Sequence, residues 1–191
     1  RTASPSLDPA HLPHDLRIMR PLPLAALLLG LSATAAAPSD TARFQFCWIG
    51  ANGYTMEGII GFPADLLDTG IITQADVTEF DIWGHHNGLP IGSWNMEDRT
   101  TETSWTLFFD TSEIAFPMGG YFLEQSYQEW NANGQVDDCG KPGFGFNGGT
   151  WAQDVCIDNT WIRESSIDPD TPLPAFPMDE PLNCEAVLPL S

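Results

Sequence analysis

Residues 77–95 read VTEFDIWGHHNGLPIGSWN and hold the clearest structural signal in the chain. Side chains alternate along the first half of this stretch, so that Ile82 and Trp83 point to opposite faces. This period of two predicts a half-buried β-strand. Asn87 and Gly88 follow, and Asn-Gly is the leading signal for a two-residue hairpin turn because both residues tolerate positive φ. The stretch therefore predicts two antiparallel strands joined by a tight turn.

The same features recur on both sides of this hairpin. ARFQFCWI (42–49) and YTMEGIIGF (54–62) form a predicted opening hairpin around the turn GANG, and GTWAQDVCI with WIRESS form a predicted closing hairpin. Further strands are predicted at 104–110 and 119–131, with a helical turn as the alternative for EQSYQEW (124–130), and the composition of 131–143 predicts a loop. Seven to nine short strands with such turns indicate an all-β fold, an antiparallel β-sandwich of jelly-roll-like type.

The N-terminal residues are predicted to lie outside this domain. Residues 1–18 show neither strand nor helix periodicity and are expected to be an upstream or non-coding segment. Residues 19–37 have a basic beginning, an apolar run and small residues at the end, which is the layout of a secretory signal peptide, with cleavage expected after Ala35. The apolar run 22–31 is shorter than the roughly 20 residues that span a bilayer. We therefore expect a secreted or cell-surface protein that is not an integral membrane protein after processing.

The remaining chain divides into the β-sandwich domain, 38–166, and a Pro-rich acidic tail, 167–191. The tail contains six prolines and is expected to be extended, disordered and largely unpacked.

Four cysteines lie in the exported part, where an even number favours disulfides. Three pairings are open. The Gly-rich segment between Cys139 and Cys156 favours that pair, which leaves Cys47 for Cys184.

Charge is the strongest compositional signal. Past residue 37, four basic residues stand against 24 acidic ones, for a net charge of about −20. Such a surface repels phosphate backbones and anionic membranes, so nucleic acid is not expected as a partner. The acidity is explained either by solubility in a salty medium or by binding of divalent cations, and the scattering of the acids favours the first explanation.

A calcium site is the one cofactor prediction. DLLDTGIITQAD (65–76) has the spacing of an EF-hand loop in part, with Asp65, Asp68 and Asp76 as candidate ligands. Leu67 and Thr69 stand where two further ligands are needed. The alternative is a short packed turn whose aspartates cap backbone groups or face solvent.

Catalytic arrangements are weakly supported. Asp68 and Asp110 each precede a threonine, as in an aspartic protease, but the two phrases start only 42 residues apart, too close for each to head its own lobe. Asp110 is expected to stabilise a turn.

His85 and His86 are adjacent in a strand and so point to opposite sides, which disfavours a shared metal site. A glycosidase that uses a pair of carboxylates among the acidic residues of the chain stays an open alternative.

Tryptophan supplies the candidate ligand surface. The seven residues are Trp48, Trp83, Trp94, Trp105, Trp130, Trp151 and Trp161. Most should fill the core, but two or three on one exposed face would form a platform for sugar rings or another apolar ligand. Trp83 and Trp94, on the two strands of the hairpin 77–95, are the predicted pair.

Several phrases follow one another in a characteristic order: FCWIGANGYTMEG (46–58), GIITQADVTEF (70–80), GLPIGSW (88–94), FFDT (108–111), GG (119–120), QEWNANG (128–134) and PGFGFNGG (142–149). This order resembles that of a group of uncharacterised exported bacterial β-sandwich proteins, which often carry PEP-CTERM or VPLPA-type sorting tails. The resemblance implies a secreted or surface β-sandwich without an established activity or catalytic residues. PLPA at 172–175 is followed by FPMDEPLN and not by an apolar helix, so soluble secretion is expected.

Two functional hypotheses follow. The first is a non-enzymatic structural or interaction module whose partners are other surface proteins. The second is a carbohydrate-binding module, or a carbohydrate-active enzyme, that binds extracellular polysaccharide. An exposed row of aromatic side chains would favour the second.

Overall fold

A computed structural model describes residues 40–122, 124–182 and 184. Within these residues the chain forms thirteen β-strands in two antiparallel sheets, and its helical elements are three short 3-10 turns. The all-β prediction is therefore confirmed. The predicted upstream segment and signal peptide lie outside the described residues. In the described part of the chain, no helix is long and apolar enough to cross a membrane.

The strands are numbered in chain order. They are β1 Thr41–Ile49, β2 Tyr54–Pro63, β3 Ile71–Thr73, β4 Glu79–His86, β5 Leu89–Asn95, β6 Trp105–Thr106, β7 Phe108–Asp110, β8 Ala115–Phe116, β9 Gln128–Trp130, β10 Phe144–Gly148, β11 Gln153–Ile157, β12 Thr160–Ile167 and β13 Leu173–Pro177. One sheet has eight strands in the order β3-β7-β8-β13-β1-β2-β4-β5. The other has five in the order β12-β11-β10-β9-β6.

The predicted hairpins are present. β1 pairs with β2, β4 with β5, and β11 with β12. Asn87 and Gly88 have φ of 52° and 77°, and Asp158 and Asn159 have φ of 52° and 59°. Positive φ at both central residues is what a type I′ turn requires, and this turn matches the right-handed twist of the strands it joins.

Aromatic side chains fill the space between the two sheets. Phe46 and Phe80 project from the eight-stranded sheet onto Trp130 of the five-stranded sheet, with ring centroids 5.5 and 4.9 Å away. All three are fully buried. Their edge-to-face geometry is the arrangement that aromatic quadrupoles favour. The opposite face of the five-stranded sheet therefore points away from this core.

Two predicted strands differ from the structure. The segment 104–110 is divided at the buried Leu107, so that β6 joins the small sheet and β7 the large one. Only Gln128–Trp130 of the predicted strand 119–131 is extended. The preceding chain turns instead, because the amide of Gly120 donates to the carbonyl of Ser126 at 2.9 Å. β10 was not predicted as a strand, because its glycines, Gly145 and Gly148, are typical of loops.

The prediction of an unpacked tail is wrong for the described part of 167–191. β13 lies in the large sheet between β8 and β1, and Leu173 and Ala175 are buried. Its first half pairs with β8 and its second half with β1, so its prolines interrupt only short ladders. Cys184 is bonded to Cys47, as the favoured pairing predicted.

Candidate functional site

A groove of about 510 Å³ lies on the outer face of the five-stranded sheet. One wall is the loop 131–143, and the floor is formed by strands of the sheet. The side chains that give it chemical character are Phe122, Tyr127, Asn147, Trp151, Asp154 and Trp161.

Strand alternation explains the polar floor of the groove. In β10 and β11, Phe146 and Val155 face the core. The residues adjacent to them in sequence, Asn147 and Asp154, therefore face outward. The register places Asn147 beside Asp154 on one side and Glu129 on the other. These three polar side chains therefore form a row across the sheet beneath the loop.

Aromatic side chains surround the mouth of the groove. Trp151 is 91% exposed, Phe122 60% and Trp161 45%. Phe122 contacts Tyr127 edge-on, with ring centroids 5.4 Å apart. Large apolar side chains exposed together around a concavity are typical of a ligand site.

The loop wall is held by covalent and polar contacts. Cys139 is bonded to Cys156 of β11, and Val136 is buried against this disulfide. Val136 has φ of 58°, a left-handed conformation that is strained for a β-branched residue. The Asn133 amide donates to Asp138 Oδ1 at 2.7 Å, and Asn133 Oδ1 accepts from the Gln135 amide at 2.8 Å. Backbone strain of the kind found at Val136 persists where surrounding contacts fix the backbone conformation, and it is common at functional sites.

Two buried ionisable groups border the floor. The Tyr127 hydroxyl donates to Glu129 Oε1 at 2.8 Å. Burial raises the pKa of Tyr127 to about 12 and also raises the pKa of the Glu129 carboxyl. Asn147 Nδ2 donates to the Asn133 carbonyl at 3.1 Å, which ties the floor to the loop wall.

Asp154 is the exceptional polar group of the groove. Its side chain is 4% exposed, and its Oδ2 accepts from Ser166 Oγ at 3.1 Å. Its Oδ1 is buried and has no hydrogen-bond partner among the described residues. Burial raises the pKa of this carboxyl, and the nearby Trp161 indole lowers it in part, although the indole does not reach hydrogen-bond geometry. Asp154 lines the groove, and because the χ2 torsion of an Asp carboxyl is soft, rotation of this side chain can present Oδ1 to a hydrogen-bond donor in the groove.

The structure does not bring the predicted pair Trp83 and Trp94 together. Trp83 is 39% exposed, whereas Trp94 is 7% exposed and packs on Trp105 in the core at 5.2 Å. The register pairs Trp83 with Ser93, so that Trp94, one residue further on, must face the opposite side. The predicted two-tryptophan platform is therefore wrong.

The candidate calcium ligands have ordinary structural positions. Asp65 and Asp68 are exposed, and Asp76 Oδ2 accepts from the amide and hydroxyl of Thr73 at 2.9 and 3.1 Å. No group of three His, Cys, Asp or Glu spaced to hold a metal occurs within the described ranges. Calcium binding stays a prediction for these positions, and turn capping accounts for Asp76.

The two Asp-Thr phrases lie side by side, which the sequence did not indicate. β3 pairs with β7, and the Thr69 amide donates to the hydroxyl of the buried Thr111 at 3.2 Å. Asp110 Oδ1 accepts from the amides of Ser112 and Glu113 at 2.9 and 3.2 Å. The predicted turn role of Asp110 is thus confirmed.

Sequence reasoning missed the groove although the closing hairpin contains its signal. Asp154 and Cys156 are two residues apart in β11, and Cys156 pairs with Trp161 across the turn. All three therefore share the outer face. Nothing local to the sequence brings Phe122 and Trp151 to the same place.

Comparison of the chain with protein-family models, curated proteins and solved structures finds no match. By its own geometry the chain is a two-sheet antiparallel β-protein with two disulfides and an aromatic groove on the outer face of its smaller sheet.

Proposed function

We propose that this protein is a secreted or cell-surface interaction module that binds an extracellular saccharide in the groove on its five-stranded sheet. Of the two hypotheses raised by the sequence, the carbohydrate-binding one is favoured by the geometry, but at a different surface from the predicted one. The two disulfides are compatible with an oxidising, extracellular setting.

One observation carries the proposal. Trp151 exposes 91% of its surface beside Phe122 and Trp161, and these rings surround a floor of amide and carboxylate groups. A sugar ring has an apolar C–H face and an edge of hydroxyl donors, so it matches an aromatic mouth above buried hydrogen-bond acceptors. Pockets that bind small ligands commonly combine apolar walls with a few convergent polar groups.

Titration of the wild-type protein with neutral and charged oligosaccharides, followed by calorimetry and tryptophan fluorescence, tests the proposal. We expect saturable binding that Trp151→Ala weakens at least about tenfold, the effect of a hot spot worth about 1.4 kcal/mol or more. Because Trp151 is almost fully exposed, the free energy of unfolding should change by no more than about 0.5 kcal/mol.

Trp83→Ala is the matched control, because Trp83 is an exposed tryptophan of the other sheet. It should bind every oligosaccharide as the wild type does. Absence of saccharide binding, or equal weakening by both substitutions, would contradict the proposal.

A further inference from the structure

We infer that the saccharide bound in this groove carries a positively charged amino group and that Asp154 accepts a hydrogen bond from it. The inference rests on the proposed saccharide binding and specifies the chemical class of the sugar, an amino sugar with an unmodified amine.

The first argument is the unpaired oxygen of Asp154. Its Oδ1 is buried without a hydrogen-bond partner in the described part of the protein, while Oδ2 is bonded to Ser166. A buried acceptor left unpaired costs about 1–3 kcal/mol, and more when the group is charged. A ligand that donates to Oδ1 recovers this energy, so the arrangement is better explained with a donor in the groove.

The second argument is the charge around the groove. None of the residues that line it is Lys, Arg or His. Asp138 lies near enough to Glu129 to raise the pKa of that carboxyl, so the surroundings are acidic as well. The whole chain has a net charge of −19. A cationic ligand is attracted to such a site, and a uronic acid is repelled.

The third argument separates an amine from other donors. A sugar hydroxyl would pair with Oδ1 but would leave the charge of the buried carboxylate uncompensated, whereas an ammonium group forms an N⁺–H···O⁻ bond that neutralises this charge. The rings of Trp151 and Trp161 at the mouth add an attraction for a cation over an aromatic face. A quaternary ammonium has no N–H to donate, and a metal ion needs several oxygen ligands.

The test compares three oligosaccharides of equal length, built from glucosamine, N-acetylglucosamine and a uronic acid, at a pH at which the amine is protonated. For the wild-type protein we expect the glucosamine oligomer to bind about tenfold more tightly than its acetylated counterpart and the uronic acid oligomer most weakly. The preference should persist in about 1 M salt, where the Debye length is about 3 Å, because Asp154 is buried.

Two variants distinguish a specific contact from the general field of the protein. Asp154→Asn should lower the affinity for the glucosamine oligomer to that for the acetylated one. Asp179→Asn removes one charge from an exposed turn after β13 of the other sheet and should leave the preference unchanged.

The outcomes also separate the two proposals. Equal or weaker binding of the glucosamine oligomer by the wild type, or a preference that vanishes in 1 M salt, would overturn the amino sugar and leave saccharide binding intact. So would equal losses in both variants. Binding of none of the oligomers would overturn saccharide binding itself. The wild-type comparison of the three oligosaccharides decides this point independently of the Asp154→Asn variant.

Discussion

The carboxyl of Asp154 has one oxygen bonded to Ser166 and the other without a partner in the described residues. Burial raises its pKa because the charged form is desolvated. A carboxyl whose folded-state pKa exceeds its unfolded value stabilises the fold below the unfolded pKa, and this contribution is lost as pH rises through the folded pKa. The ionised carboxylate of Asp154 therefore lowers the free energy of unfolding at neutral pH.

We predict that Asp154→Asn raises the free energy of unfolding at neutral pH by about 1–2 kcal/mol, because the neutral amide lacks the desolvated charge of the carboxylate although it remains a buried polar group. The gain should shrink as pH falls through the raised pKa, since the wild-type carboxyl is then neutral too. Urea unfolding across a pH series measures both curves. A variant that is less stable at neutral pH, or a difference independent of pH, would contradict the prediction. Such a gain would mark Asp154 as a residue kept for function at the expense of stability.

At the scale of elements, β13 shows how a Pro-rich acidic segment can still belong to the core. Leu173 is 1% exposed and pairs with Phe116 of β8, and Ala175 pairs with Phe46 of β1. β13 therefore joins the β3-β7-β8 part of the large sheet to the part that begins at β1.

We predict that Leu173→Ala lowers the free energy of unfolding by about 2–5 kcal/mol, because it leaves a cavity between packed side chains. Leu89→Ala is the matched control, since Leu89 is 69% exposed, and should change stability by no more than about 0.5 kcal/mol. Denaturant midpoints of the two variants give the comparison. Equal midpoints would mean that β13 contributes little to the folded core.

Local signals were sufficient to predict the hairpins. Alternation and the turn at Asn87 and Gly88 depend on residues close in sequence, and the structure has the strands where these signals lie. The place of β13 depends on pairing with β1, more than 100 residues away in sequence, and no local pattern reports such a pairing. For the same reason the division of 104–110 between two sheets was not predictable.

The candidate site was predictable only in part. Composition indicated that some aromatic side chains could cluster on an exposed face, and the chain has such a cluster around the groove. The choice of Trp83 and Trp94 failed because one residue of register separates an exposed side chain from a core one. Exposure of Trp151 depends on a loop conformation, and the surroundings of the Asp154 carboxyl depend on Ser166, which is 12 residues further along the chain.

For the whole molecule, charge imbalance is the dominant electrostatic feature. The net charge is −19, and the described residues contain one ion pair, Arg43 with Glu79 at 2.5 Å. Most carboxylates of the described residues therefore have no cation paired with them. Self-repulsion among like charges destabilises a compact state.

We predict that sodium chloride raises the melting temperature strongly near pH 7 and weakly near pH 4. Between about 0.1 and 1 M the Debye length falls from about 10 to 3 Å, which screens repulsion between surface carboxylates. Carboxylates in general become protonated as the pH approaches 4, so there is less repulsion to screen at the lower pH. Calorimetric scans at the two pH values provide the measurement, and each serves as the control for the other, because effects of salt on apolar burial are common to both.

Equal shifts of the melting temperature at the two pH values would mean that salt acts through burial. A larger shift near pH 7 would instead support the solubility explanation of the acidity, in which the scattered carboxylates are balanced by the medium.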